Sequence, residues 1–107
     1  MNTSDLRTLL RDDFGQDFPI SGGNGESCEA AIVIHRQRPN NYVAVEYGVL
    51  DCLAIRRGVE WQPLLQAMLD VGGRKVDKMQ IETRSTQGDQ IITRTEAYFF
   101  DITECLG

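Results

Sequence analysis

The first apolar positions of the chain recur with the period of a helix: Leu6, Leu9, Leu10 and Phe14. Thr3 or Ser4 can cap the start of this segment, and Gly15 can end it. The pattern therefore predicts an amphipathic helix of about three turns. The Ser-Gly-Gly-Asn-Gly segment at 21–25 predicts a flexible loop after it.

Two runs rich in β-branched residues predict a first β-hairpin. They are residues 29–36, which contain Ala-Ala-Ile-Val-Ile-His, and residues 42–47, Tyr-Val-Ala-Val-Glu-Tyr, with Arg-Pro-Asn-Asn at 38–41 as the turn. Residues 49–56 form a third apolar run between two glycines. This run has the length of a strand, which favours a strand, but a buried helix remains the alternative.

A second helix is predicted over residues 61–71. Its apolar stripe is Trp61, Leu64, Leu65, Met68 and Leu69. Pro63 falls in the first turn, where proline is tolerated, and the glycine pair at 72–73 ends the segment.

A second hairpin is predicted from residues 78–85 and 90–102, with the turn at 86–89. If the loop is the three residues 87–89, Glu82 lies opposite Arg94 and Thr83 opposite Thr93. The solvent face then carries Gln80, Glu82, Arg84, Arg94 and Glu96, and the buried face carries Met79, Ile81, Ile91, Ala97 and Phe99. We therefore expect a sheet with one solvated face and one face covered by helices.

These elements predict a single α+β domain over residues 1–107. Their order is α-β-β-β-α-β-β, with an antiparallel sheet of about five strands and the helices packed on one face. No helix is predicted for residues 101–107, so we expect the end of the chain to leave a sheet edge open.

Charge and cysteine content narrow the function classes. Eleven Lys and Arg residues against sixteen Asp and Glu residues give a net charge of −5, which argues against nucleic-acid binding. Nine of the cations are Arg, whose planar groups suit the many carboxylates as partners. Three cysteines without a C-x-x-C spacing, no signal-like start and no membrane-length apolar run predict a cytoplasmic protein without a membrane partner.

No motif predicts catalysis, a cofactor or a metal. Asp13-Phe14-Gly15 matches a kinase triplet, but the chain lacks the rest of a kinase. The glycines at 21–25 lack the lysine and the helix of a phosphate-binding loop. His35 is the only histidine, and its possible partners Cys28, Cys52, Cys105 and Asp51 are scattered in sequence and more typical of a packed core or a solvated surface. Sixteen carboxylates make close pairs inevitable, and these pairs are expected to be solvated.

Aromatic residues offer the best candidates for an interaction surface. Tyr98 and Phe100 fall on the predicted solvent face, and Trp61 opens the second predicted helix. Burial within the monomer is the favoured interpretation for these rings, and a self-association or partner surface is the best functional alternative.

The sequence therefore predicts a non-enzymatic, acidic protein-interaction module that self-associates through a sheet face or edge or binds a basic protein partner. The alternative is a small-molecule binder or enzyme with a cone-shaped pocket that holds His35 or a cysteine. The predicted element order and acidic charge are loosely similar to those of type III secretion chaperones, which are dimers that bind effector segments, although the family's last helix is missing. Cystatin-like folds are similar to the same extent. The likeness is one of architecture and assigns no family.

Overall fold

The computed structural model describes residues 5–39 and 41–106. The elements are, in chain order, α1 (Leu6–Phe14), β1 (Ile20–Gly22), β2 (Ile32–Ile34), α2 (Tyr42–Arg57), β3 (Glu60–Val71), β4 (Arg74–Gln87), β5 (Gln90–Asp101) and α3 (Thr103–Leu106). The chain is thus α+β, as predicted.

The five strands form one sheet in the order β1-β2-β5-β4-β3. The β2–β5 pair is parallel and the other three pairs are antiparallel, so the prediction of a purely antiparallel sheet is wrong. Parallel neighbours need a long connection, and here α2, β3 and β4 lie between the two strands in sequence.

The core lies between the sheet and the helices α1 and α2. It contains Leu10 of α1, Val49, Leu50 and Cys52 of α2, and sheet residues that include Ile32, Met79, Ile81 and Phe100. Helix α3 adds Cys105 to the same cluster, so the expectation that no helix follows residue 101 is also wrong.

The N-terminal helix agrees with its prediction except at its cap. Asp5 is the N-cap, and its carboxylate accepts a hydrogen bond from the Thr8 N–H at 2.8 Å. The predicted caps, Thr3 and Ser4, lie outside the described residues. Gly15 ends the helix in the left-handed conformation at φ 68°, as expected for a glycine C-cap.

Residues 42–57 form one helix, so the predicted strand at 42–47 and the favoured strand at 49–56 are wrong, and the helix that remained the alternative for 49–56 is the element that forms. Of the predicted first hairpin only its first strand persists, as the short β2. The buried and half-buried positions on α2 include Tyr42, Val45, Val49, Leu50 and Leu53, which follow a helical stripe that spans both runs. In the sequence, Gly48 separates the two apolar runs, and a glycine at such a position indicates a strand boundary rather than a continuous helix. Its lack of a side chain instead admits the Phe18 ring, whose Cε1 lies 2.8 Å from the position that a Cβ would occupy.

Residues 60–71 form the edge strand β3, so the predicted helix over residues 61–71 is wrong. The apolar stripe read there as helical is left largely exposed. Strand β4 supplies partners along almost the whole of β3, with one bulge between Pro63 and Leu65. An edge strand tolerates proline, which has no N–H to donate.

The second hairpin is confirmed, but its turn is one residue shorter than predicted. Gln87 pairs with Gln90, and Thr83 therefore lies opposite Arg94. A shift of one residue exchanges the two faces of β5. Met79 and Ile81 of β4 are buried as predicted, whereas Ile91 of β5 is 66% exposed.

Candidate functional site

Strand β3 presents a long open edge. It has 12 residues and lies at one end of the strand order, so among the described residues its ladder partner is β4. Such an edge exposes a row of unpaired N–H and C=O groups to any strand that approaches it. Natural proteins protect such edges with short strands, charges, proline or bulges, and β3 has a proline and a bulge in its first part. The remainder, Leu65–Val71, is regular and carries one charged residue, Asp70.

Apolar side chains line this edge. Their exposed fractions are 50% for Leu64, 60% for Leu65, 49% for Met68 and 38% for Val71. Val43 and Tyr47 of α2 are also exposed, at 42% and 37%, and lie one helical turn apart. Tyr47 joins this helix face to β3, because its ring stacks edge-on against Trp61 with the centroids 5.4 Å apart. Met68 pairs with the buried Asp77 and so lies on the helix-facing side of the sheet, whereas Leu65 and Val71, each three residues away, lie on the opposite side. We call the six residues that flank the edge on its two sides, Val43, Tyr47, Leu64, Leu65, Met68 and Val71, the β3 surface.

The three aromatic residues singled out in the sequence have different environments. Phe100 is completely buried in the core, which confirms the favoured interpretation and excludes it from a contact surface. Tyr98 is half-buried against that core. Trp61 is half-buried beside the β3 surface, and its indole N–H donates to Asp51 at 2.7 Å. A contact role for Tyr98 and Trp61 stays a prediction.

Two carboxyl groups are buried behind β3. Glu46 of α2 is 0% exposed and Asp77 of β4 is 1% exposed. The Gln66 amide of β3 donates to Asp77 Oδ2 and, at 3.5 Å, to Glu46 Oε1. Glu46 Oε2 has no hydrogen-bond partner among the described residues. The cluster thus holds more acceptors than donors unless one carboxyl carries a proton.

Burial raises the pKa of Glu46 to about 10, and the hydrogen bond and charge of Asp77 act in the same direction. Glu46 is therefore protonated at neutral pH, where it acts as a donor towards Asp77. The sequence interpretation missed this pair because residues 42–47 were assigned to a strand. Read as a helix, the sequence places Glu46 on the apolar stripe, three and four residues before Val49 and Leu50.

His35, the only histidine in the sequence, lies in a chain of hydrogen bonds at the β1–β2 end of the sheet, opposite to β3. His35 Nε2 is 2.7 Å from Ser21 Oγ, and His35 Nδ1 is 2.8 Å from Glu104 Oε2. Ser21 belongs to β1, His35 follows β2 and Glu104 belongs to α3. A cleft of about 290 Å³ adjoins His35, and its apolar lining includes Pro19, Ile34 and Val45.

Two of the three cysteines, Cys52 and Cys105, are placed for packing rather than for reactivity. Cys52 and Cys105 are buried, and burial raises the pKa of both thiols. A raised pKa reduces the thiolate fraction that a nucleophile needs. Asp51, the other candidate partner, bonds Trp61 instead.

The glycine-rich segment at 21–25 contacts strand β5. Gly25 C=O accepts the Phe99 N–H at 2.9 Å, so the loop continues the pairing of β5. Gly23 allows this path, because a Cβ there would lie 2.4 Å from Ala30 O. Within residues 5–39 and 41–106, no group of three or more His, Cys, Asp or Glu side chains is arranged to hold a metal ion. No helix in that part of the chain is both long and apolar enough to cross a membrane.

The basic residues largely pair with acids, as their type suggested. Arg56 bonds Asp13 at 2.8 Å and Arg74 bonds Asp101 at 2.8 Å. Arg57 donates to both carboxylate oxygens of Glu96, at 2.7 and 2.8 Å. The Arg56 and Arg57 pairs connect helix α2 to α1 and to β5.

No family model, curated protein or solved structure matches this chain. The features of this chain that bear on function are therefore the β3 edge and the polar clusters.

Proposed function

We propose that the protein is an interaction module that forms a homodimer through the edge of β3. The supporting observation is the open 12-residue strand with its row of exposed apolar side chains. Two such edges related by a two-fold axis pair antiparallel, and each then satisfies the free N–H and C=O groups of the other. The result is a continuous sheet of ten strands, twice the five of one chain.

The shape of β3 selects a register for this pairing. The bulge and the missing N–H of Pro63 interrupt the first part of the strand, which leaves Leu65–Val71 as its regular part. A symmetric pair that uses all of this segment is centred on its middle residue, Met68. Met68 then faces its own copy in the second chain.

The side chains are compatible with that register. Leu65 lies opposite Val71 of the second copy, and Ala67 lies opposite Leu69. Gln66 lies opposite Asp70, so no like charges are opposed. Each apolar cross-strand pair contributes about 0.2–1 kcal/mol. The exposed Tyr47, whose ring contacts Trp61 of β3, extends the apolar area beyond the strand itself.

The oligomeric state tests the proposal. Wild-type protein should sediment as a dimer, and Met68→Lys should sediment as a monomer, because the substitution places two ammonium groups against each other at the centre of the pair. Ile91→Lys is the matched control: Ile91 is an exposed apolar strand residue near the β4–β5 turn, so this variant should remain a dimer. A wild-type monomer, or a Met68→Lys dimer of unchanged affinity, contradicts the proposal.

Disulfide trapping tests the register. Residues paired across antiparallel strands have Cα atoms about 4.5–5.5 Å apart, within disulfide range. Met68→Cys should therefore cross-link readily to its own copy under mild oxidation. Val71→Cys is the control, because in this register the two copies of residue 71 are about 20 Å apart. Efficient cross-linking of Val71→Cys alone would show a different register.

As a second candidate, the same edge adds a segment of a basic partner protein as an extra strand, which the net charge of −5 favours. A wild-type monomer that binds a basic extended peptide only while β3 is intact would favour this second candidate over the dimer. We place either activity in the cytoplasm, since the three cysteines form no disulfide.

A further inference from the structure

We propose that Ser21, His35 and Glu104 form a nucleophilic site that hydrolyses small carboxylic esters. The three side chains come from separate parts of the chain and meet at 2.7 Å and 2.8 Å. This is the sequence of contacts by which a base activates a hydroxyl and an acid orients the base. The inference is independent of the β3 surface and goes beyond the expectation of a non-enzymatic module.

The chemistry of the acid sets the direction of the hydrogen bonds. The Glu104 carboxylate can only accept, so His35 Nδ1 must carry the hydrogen that it shares with Glu104. Nε2 of the neutral imidazole is then an acceptor, and Ser21 Oγ–H donates to it. Nε2 is therefore in position to take the hydroxyl proton when Ser21 attacks.

The supporting structure holds the acid in place. Helix α3 starts at Thr103, whose N–H and hydroxyl both donate to Asp101 Oδ1, at 3.0 and 2.6 Å. Thr103 Oγ1 also accepts the Lys75 N–H at 2.9 Å. At the other end of this turn, the Cys105 thiol donates to Ile34 C=O at 3.6 Å, next to His35. These contacts fix Glu104 relative to β2 and to the imidazole.

Substrates can reach the site from solvent. Ser21 is exposed, and the cleft beside His35 combines apolar residues such as Pro19 and Val45 with the polar Gln37, Arg38 and Asn41. Its apolar part gives room for a short acyl chain next to the imidazole. In the antiparallel ladder, Gly23 N–H donates to Ala31 C=O at 3.0 Å. The Gly22 N–H, one residue earlier, therefore points to the open edge of β1. It is the backbone donor that we assign to the developing oxyanion.

The reaction needs only the ester and water. Ser21 Oγ bonds to the carbonyl carbon while its proton passes to His35 Nε2. The ester C–O bond then breaks, and His35 returns the proton to the leaving alcohol. Water repeats the sequence: its proton passes to Nε2, its oxygen bonds to the acyl carbon, and the Ser21 ester bond breaks with return of the proton to Oγ. A carboxylic acid is released.

Two readouts on the intact protein test the inference. A fluorophosphonate probe should label wild-type protein once, at Ser21, by intact mass and peptide mapping. Turnover of p-nitrophenyl butyrate should fall by about a hundredfold or more in Ser21→Ala. Ser85→Ala is the control, since Ser85 lies in β4 away from His35, and it should keep both labelling and turnover. Glu104→Gln should also lower turnover by about a hundredfold, because a Gln side chain no longer enforces the Nδ1–H tautomer.

Circular dichroism melting curves establish that each variant is folded. The inference is overturned if folded wild-type protein is not labelled at Ser21. It is also overturned if Ser21→Ala hydrolyses the ester at the wild-type rate, which would indicate hydrolysis by an exposed imidazole without the serine.

Discussion

Replacement of Glu46 by Gln should remove a strong pH dependence of folding stability. In the native protein the raised pKa of Glu46, about 10, keeps this buried carboxyl protonated. In the unfolded chain a glutamate has a pKa of about 4.3. Between these two values the native state binds one proton more than the unfolded state. Stability therefore falls as the pH rises through this window.

The size of the effect follows from the proton count. One extra bound proton in the native state lowers the free energy of unfolding by about 1.4 kcal/mol per pH unit. A rise from pH 5.5 to pH 7.5 should thus remove about 2–3 kcal/mol, a large share of the stability of a small domain. Glutamine has the shape of glutamic acid and keeps a donor for Asp77, but it does not titrate. Its stability curve should be flatter by that amount.

Urea denaturation at a series of pH values measures this slope for the wild type, for Glu46→Gln and for Glu29→Gln, an exposed control. Other groups also titrate in the window, so the difference between the wild type and Glu46→Gln is the informative quantity. Glu29→Gln should parallel the wild type. Equal slopes for the wild type and Glu46→Gln would refute the argument that Glu46 is buried with its proton.

Two further substitutions test packing and ion pairing. Gly48→Ala should destabilise the protein by about 1–2 kcal/mol, because the new methyl group meets the Phe18 ring. In a Phe18→Ala background the same substitution should stabilise the protein by up to about 1 kcal/mol through helix propensity. Urea midpoints of the wild type, the two single variants and the double variant give the comparison, and additive effects would contradict the prediction. Glu96→Gln should cost about 1–2 kcal/mol at pH 7, because the side chain loses its paired hydrogen bonds with Arg57. Since the hydrogen bond from Arg57 lowers the pKa of Glu96, the stabilisation is complete above about pH 4.3 and is lost as the pH falls through the lowered pKa. A difference between the two proteins that does not shrink as the pH falls below that value would contradict the assignment.

Local patterns predicted the elements whose neighbours in space are also neighbours in sequence. The stripe that ends at Phe14 and Gly15 predicted α1, because a helix bonds to itself and a glycine can end it alone. The alternation around Met79 and Ile81 predicted the buried face of β4. The β4–β5 pair was found because its turn is short, although one residue in the turn length reversed the faces of β5.

Local patterns could not predict which polar residues lie next to each other in the two polar clusters. Glu46 and Asp77 are adjacent only because α2 packs over the sheet, and Ser21, His35 and Glu104 meet only because β1, β2 and α3 converge. Sequence analysis identified His35 as the single histidine, but it paired His35 with cysteines. The actual partner, Glu104, is 69 positions away.

By itself, the sequence determined an acidic α+β chain, the first helix, the long second hairpin and the pairing of arginines with acids, since these follow from composition and local periodicity. Whether residues 42–57 and 60–71 form a helix or a strand depends on tertiary contacts. Both segments are apolar enough to be helix or strand, and the choice depended on which neighbour could bury or bond them. Strand β4 pairs with residues 60–71 along almost their whole length and leaves most of their apolar side chains exposed. Residues 42–57 instead bury Val49, Leu50 and Cys52 in the core that they share with α1.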